Sequence, residues 1–331
     1  MVNGFFYVLL PRIFQKFYRL MQAKIKGYIL GSIAAATYGL NPLFALPLYS
    51  DGMDTDSVLF FRYLFAIPIM GAMIKLRGRD FKVKPKEVLP LVTMGILMAF
   101  SSLFLFLSYT YMDAGIASTI LFVYPVMVVV IMFLFFKERL SALTLICITM
   151  AIAGIGLLYN GKPGATLSVI GVVFVMASAL SYSLYMVGVN QSVLKDVPTI
   201  KTIFYVLTFG IVIFAARLIY LGDISLPTKW YMWGNVLALA VLPTVISFLC
   251  TTKSIQYIGS TPTAILGALE PLTAVVFGVT VFGEVLTFRD VCGLVLIVVA
   301  VAIVVAGGSV AAQLVRLRRL FPRIHKKKVT K

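Results

Sequence analysis

The sequence predicts an all-α membrane protein whose ten transmembrane helices form two inverted five-helix repeats. Three observations carry that prediction. Of 331 residues, 61% are hydrophobic and only 12% charged, where a globular domain has roughly 45–50% and 25%, and the mean hydropathy is +1.01. Ten apolar runs are each long enough to cross a bilayer, which takes about 20 residues. Finally, the chain aligns with itself at an offset of 146 residues.

The opening 26 residues, MVNGFFYVLLPRIFQKFYRLMQAKIK, have no basic stretch ahead of their apolar run and no small-residue cleavage site, so they do not read as a signal peptide. Bulky apolar residues interleaved with Arg12, Lys16, Arg19, Lys24 and Lys26 predict an amphipathic helix on a membrane surface. The apolar runs follow at 27–49, 57–75, 88–110, 114–136, 142–160, 168–190, 201–221, 231–252, 260–282 and 289–309. The first carries Gly27, Gly31, Ala35 and Gly39 at helical spacing, a stripe suited to close helix packing and echoed by Gly171, Ala179 and Ser183. The gaps are too short for a soluble domain. Period-2 alternation over about ten residues, which a membrane barrel requires, is absent, so the runs are helices. Residues 310–331 form a basic tail. Cys147, Cys250 and Cys292 all lie in apolar runs and read as small core residues rather than a disulfide framework.

Loop cations set the orientation. With the N-terminus inside, the inner segments hold 24 Lys and Arg and the outer loops only Lys162, Lys229 and Arg289. Both termini are therefore expected in the cytoplasm. The net charge of +17 is mostly this bias plus the tail, which suits anionic lipid headgroups rather than nucleic acid.

At the 146-residue offset, residues 111–141 fall on 257–287 without a gap, pairing Tyr111 with Tyr257, Pro125 with Pro271, and Glu138 with Glu284. An offset of 144 brings Gly27, Ala35 and Tyr38 onto Gly171, Ala179 and Tyr182. These matches define a duplicated five-helix unit. Five is odd, so the second copy enters the membrane from the opposite side. The loop KERLS after the fourth run has two cations, and its counterpart GEVLT has none. Inverted repeats support alternating access around a midplane site.

Two five-helix halves, a proline followed by KE in the fourth run and EP followed by GE in the ninth, make the chain similar to the EamA-type permeases of the drug/metabolite transporter superfamily. The resemblance covers essentially residues 27–309, with repeats at 27–160 and 168–309. It implies a bacterial inner-membrane protein that exports or exchanges amino acids or related small metabolites through a cavity between the halves. Monomer and homodimer both fit. Nucleotide-sugar or phosphate exchangers of the same superfamily fit less well, because phosphates call for fixed cations and Arg62 is the one suited to that role within the spans.

Several of the candidate site residues carry more than one reading. Glu270 lies near the bilayer centre, as a coupling group for protons, an acceptor for a substrate ammonium, or a neutral acid donating to the Gly267 carbonyl that Pro271 leaves unpaired. Pro125 and Pro271 are hinges or static kinks. Arg62 is either a clamp for a substrate carboxylate or a cation that snorkels to the nearby outer surface, and Arg217 reads as an interfacial anchor. Glu138 and Glu284 read as caps or ion-pair partners at span ends. Tyr38, Asn41, Tyr124, Tyr182 and Tyr185 supply polar and aromatic groups within the spans. Tyr38 and Tyr182, being repeat partners, are expected to face a shared cavity.

Other classes lack their signatures. The single histidine, His325, lies in the tail. No zinc-protease helix, G-x-S-x-G elbow or phosphate-binding loop occurs, so no catalytic residue, metal or cofactor is expected. A scaffold or lipid-interacting protein has no need of an inverted repeat with a midplane carboxylate. The reading is a secondary transporter of small-molecule solutes, with protons as the candidate coupling ion.

Overall fold

The computed structural model describes residues 21–112, 114–138, 141–158 and 168–270, and then 272–273, 276, 288–289, 291–293, 295–300 and 303. Pro271, Glu284, residues 1–20 of the amphipathic segment and the basic tail lie outside the described residues.

Among the described residues all regular structure is helical. The elements are α1 (Met21–Ser50), α2 (Thr55–Leu76), α3 (Pro85–Tyr111), α4 (Ala114–Leu121), α5 (Tyr124–Phe136), α6 (Ala142–Leu158), α7 (Val169–Gln191), α8 (Thr199–Leu221), α9 (Trp230–Ile258), α10 (Ser260–Leu266) and α11 (291–300). Six of them, α1, α2, α3, α7, α8 and α9, are 22–30 residues long and apolar enough to cross a membrane. α5, α6 and α11 are shorter apolar helices. The fourth apolar run is not one helix but α4 and α5, separated at 122–123.

Helix ends follow local chemistry. The Asp54 carboxylate accepts from the Ser57 amide (2.8 Å) to start α2, and Ser168 does the same for the Gly171 amide (3.3 Å) at α7. α8 ends on Gly222, whose φ of 74° only glycine adopts at no steric cost.

Helices of the first half pack mainly on helices of the second: α3 lies against α7 and α8, and α2 against α8. Small residues permit this. A Cβ added at Gly95 would come within 2.9 Å of the Val206 carbonyl oxygen. The α1 stripe meets α9 and α10 in the same way, since a Cβ at Gly31 would lie 2.8 Å from Ser254 Oγ, and Ser247 Oγ donates to the Ala34 carbonyl (3.0 Å). The outer surface is apolar, as in Leu134, Phe135 and Ile219, and Tyr220 (89% exposed) and Trp230 (86%) mark one membrane interface.

Ion pairs join the halves at both ends of α8. Lys201 Nζ reaches Asp80 (2.8 Å) and the Lys82 carbonyl (2.7 Å). At the other end Arg217 grips Asp56 through Nε (2.6 Å) and Nη2 (3.0 Å). Arg217, expected as an interfacial anchor, also serves as an interhelical clasp, because Asp56 in the first turn of α2 stands within reach. Beside it Lys229 (2.6 Å) and Tyr231 (2.8 Å) both bind Asp51 and hold its carboxyl below the usual range.

Candidate functional site

Four helix interruptions meet inside the bundle, each tied to a proline that cannot donate to the carbonyl four residues earlier. In α1 the helix pauses at Gly39–Leu40, and Pro42 leaves the Tyr38 carbonyl without its donor. Pro125 stands in the first turn of α5, after the pause at Phe122–Val123, where a missing N–H costs little. In α9 the segment Ala240–Ile246 widens to a π-helix around Pro243, whose five-residue hydrogen bonds step over the proline, and the Thr244 hydroxyl also donates to the Leu239 carbonyl (2.7 Å). α10 turns at Gly267–Ala268, where the Glu270 amide donates to the Gly267 carbonyl (2.9 Å).

That last bond corrects one expectation. The Gly267 carbonyl already has a donor in the Glu270 backbone, because the chain tightens to three-residue hydrogen bonds, so the Glu270 side chain is free for another partner. Its Oε1 accepts from the Tyr124 hydroxyl at 3.3 Å. Tyr124 and Glu270 are 146 residues apart, the offset that pairs Pro125 with Pro271. Matching positions of the two halves thus touch at the centre. The approach is close: a Cβ at Gly39 would sit 2.5 Å from the Glu270 carbonyl oxygen, and one at Gly267 would sit 2.7 Å from Tyr124 Cζ.

The tyrosines form a stack. Tyr38 and Tyr182 lie nearly parallel (4°) with centroids 6.1 Å apart, Tyr182 stacks in turn on Tyr185 (6.3 Å), and Tyr124 meets Tyr182 edge-on at 5.0 Å. Tyr185 shares a hydrogen bond with Thr252 (3.0 Å), which turns its hydroxyl toward α9. Tyr38, Asn41, Tyr109, Ser118 and Glu270 line a cavity of about 20 Å³, room for a single water. Asn41 is buried, and neither atom of its amide has a partner among the described residues.

Arg62 does not snorkel. Its side chain turns inward and is fully buried, because the bundle offers it acceptors and rings that the lipid does not. Nε donates to Thr244 Oγ1 and Nη2 to the Pro243 carbonyl (3.2 Å), so the guanidinium clamps the π-helical segment. The rings of Phe106 and Phe248 lie 5.3 and 5.8 Å from its Cζ. No carboxylate pairs with it among the described residues, and Nη1 is buried without a hydrogen bond. Tyr38 and Tyr109 line the small cavity. Glu138 lies apart from this centre, accepting from Thr261 (3.4 Å).

The EamA-like transporter family matches the chain twice, over residues 25–160 and 169–306. The chain belongs to that family. An uncharacterized transporter of Archaeoglobus fulgidus is 27% identical over 252 residues, 76% of this chain and 87% of that protein. One from Clostridium kluyveri is 21% identical over 83% of this chain and 91% of its own length, and the uncharacterized transporter YcbK of Bacillus subtilis is 24% identical over 82% and 91%. A solved crystal structure at 20% identity shares the fold, with a TM-score of 0.71 over 87% of this chain and 98% of the other. The molecule is a multi-pass membrane transporter, a permease of the EamA type.

Within this EamA-like transporter, sequence reasoning passed over Thr244, Pro243, Tyr109, Phe106 and Phe248. One signal pointed to the first two: a proline followed by a hydroxyl residue in the middle of the eighth apolar run. The aromatic residues had none, since phenylalanines throughout the chain look alike until the helices are placed.

Proposed function

We propose that this chain is a secondary transporter that moves small carboxylate-bearing metabolites, amino acids or related solutes, in export or exchange by alternating access. In this reading ten spans form two inverted five-helix units, 27–160 and 168–309. They lie in a bacterial inner membrane, and the basic ends 1–26 and 310–331 face anionic headgroups on the cytoplasmic side.

The observation that carries the reading is Arg62. A cation in a membrane interior is costly, and here it has no acidic partner among the described residues and keeps one buried N–H group unused. One guanidinium suits the single charge of a carboxylate better than a doubly charged phosphate. Asn41, with a free donor and a free acceptor, adds recognition of a neighbouring polar group. Tyr38, Tyr182 and Tyr185 supply aromatic walls. Glu270, bonded to Tyr124, is the proton-coupling group or the receptor for a substrate ammonium. The one-water cavity describes a closed state, and opening it separates the halves at Pro125 and Pro271.

Proteoliposomes offered a panel of carboxylates, amines and neutral solutes, with and without a pH gradient, test this. Arg62→Gln should abolish carboxylate uptake with the protein still folded. Glu270→Gln should remove gradient-driven transport and spare exchange. Wild-type carboxylate uptake in Arg62→Gln refutes the site. Normal pH-responsive transport by Glu270→Gln removes the coupling role.

A further inference from the structure

A second cavity, of about 250 Å³, opens far from the midplane, where α2 ends and α8 begins. Its wall combines Leu30 of α1, Met73 of α2 and Leu249 of α9 with three cations, Arg77, Arg79 and Lys253. The register orders these by depth. Met73 precedes Arg77, and Leu249 precedes Lys253, by four residues each, one helical turn on a shared face and about 6 Å along the axis. Both helices run toward this membrane face, so each cation stands one turn nearer the water than its apolar neighbour.

Among the described residues no Asp or Glu lines the cavity and the ion pairs engage Lys201, Arg217 and Lys229 instead. Lys253 donates to Gln256 (3.2 Å) and lies over the Tyr257 ring (4.8 Å). These contacts hold the ammonium in place with donors to spare. The neighbouring cavity of about 560 Å³ differs, because Asp80, Glu87 and Asp196 offset its four lysines. Leu76 (86% exposed), next to Arg77 in sequence, and Ile29 (54%), next to Leu30, are apolar and exposed. A soluble anion would leave the apolar wall wet. A molecule whose charge sits at the interface and whose chain runs inward satisfies both levels.

We propose that this cavity binds one anionic phospholipid. Its phosphate lies among Arg77, Arg79 and Lys253, and its first acyl methylenes lie along Leu30, Met73 and Leu249. The lipid thereby links α1, α2, α8 and α9, which come from both halves of the chain.

The test uses the full chain in phosphatidylcholine nanodiscs titrated with phosphatidylglycerol of the same acyl composition, with retained lipid counted by native mass spectrometry. Wild type should keep one phosphatidylglycerol. Each basic residue near an anionic lipid contributes about fivefold in affinity, so the R77Q/R79Q/K253Q protein should bind on the order of 100-fold more weakly. The control K82Q/K84Q/K86Q should match wild type, and millimolar glycerol phosphate should displace nothing. Arg79→Glu alone, at an exposed position, gives a reading that does not depend on the triple variant folding, and should weaken retention at least tenfold. Unchanged retention in either variant overturns the site. Equal losses in both triple variants would mean diffuse surface charge, and displacement by glycerol phosphate would mean a soluble-anion site; either result also overturns it.

Discussion

Replacing Thr244 with valine isolates the contact that holds Arg62 inside the bundle. The hydroxyl acts twice: it accepts from Arg62 Nε and donates to the Leu239 carbonyl (2.7 Å). Valine keeps the side-chain outline and removes both bonds. A hydrogen bond to a charged group contributes about 1.5–3 kcal/mol, and the neutral one to the Leu239 carbonyl about 0.5–1.5 kcal/mol. The two effects share one atom and do not simply add, and hydrogen bonds within membranes tend to the low end, so about 1.5–3 kcal/mol is expected. Thr244→Ser keeps the hydroxyl and loses one methyl, about 0.8 kcal/mol. Unfolding in graded SDS, followed by far-UV circular dichroism, should therefore order the proteins as wild type, then Ser, then Val, with the larger step between Ser and Val. If Val proves as stable as Ser, Arg62 is not anchored through Thr244, and the account of its buried position fails.

Three further outcomes follow from the packing and the charges. Gly39→Ala should destabilise by about 1–3 kcal/mol, because its Cβ would meet the Glu270 carbonyl oxygen at 2.5 Å, whereas Gly156→Ala meets nothing and should be neutral or stabilising; equal melting temperatures would contradict the close approach of α1 to α10. In a background without Cys147, Cys250 and Cys292, a cysteine at the exposed position Asp223 should react with an impermeant thiol reagent in intact cells and one at Lys82 should not; the reverse pattern overturns the orientation drawn from loop cations. The Asp51 carboxyl is held below its ordinary range by Lys229 and Tyr231, so its contribution is present above an unfolded pKa of about 4 and is lost as pH falls through the lower folded value. Melting temperature should drop below about pH 4, and drop less in Asp51→Asn; the same acid sensitivity in both proteins would exclude the clasp.

Several helices were legible to within a few residues: α2, α3, α7 and α8 run at 55–76, 85–111, 169–191 and 199–221, against apolar runs at 57–75, 88–110, 168–190 and 201–221. Hydropathy averaged over a span locates its ends, where polar residues begin, but is blind to an interruption inside it. A proline identifies the carbonyl that loses its donor without revealing what replaces it. At Leu239 the replacement is the widened π-helical turn, with the Thr244 hydroxyl beside it, and at Gly267 it is a backbone amide three residues on. The inward turn of Arg62 depended on acceptors from α9, which lies about 180 residues away in the chain. The meeting of Tyr124 with Glu270 was within reach, because the offset that pairs the two prolines pairs these residues as well.

The clasps on α8 constrain how the molecule deforms. Lys201 and Arg217 are 16 residues apart, about 24 Å along the helix, and reach Asp80, four residues past the end of α2, and Asp56 in its first turn. A strut fixed at both ends resists hinging at either. The α2–α8 pair, one helix from each half of the sequence, therefore behaves as a stiff frame, and the compliance needed to admit a solute falls to α1, α4–α5, α9 and α10, where the regular hydrogen-bond ladder is already broken. A chain duplicated in sequence is in this way divided mechanically along a different line, with the rigid part and the yielding part each drawn from both copies.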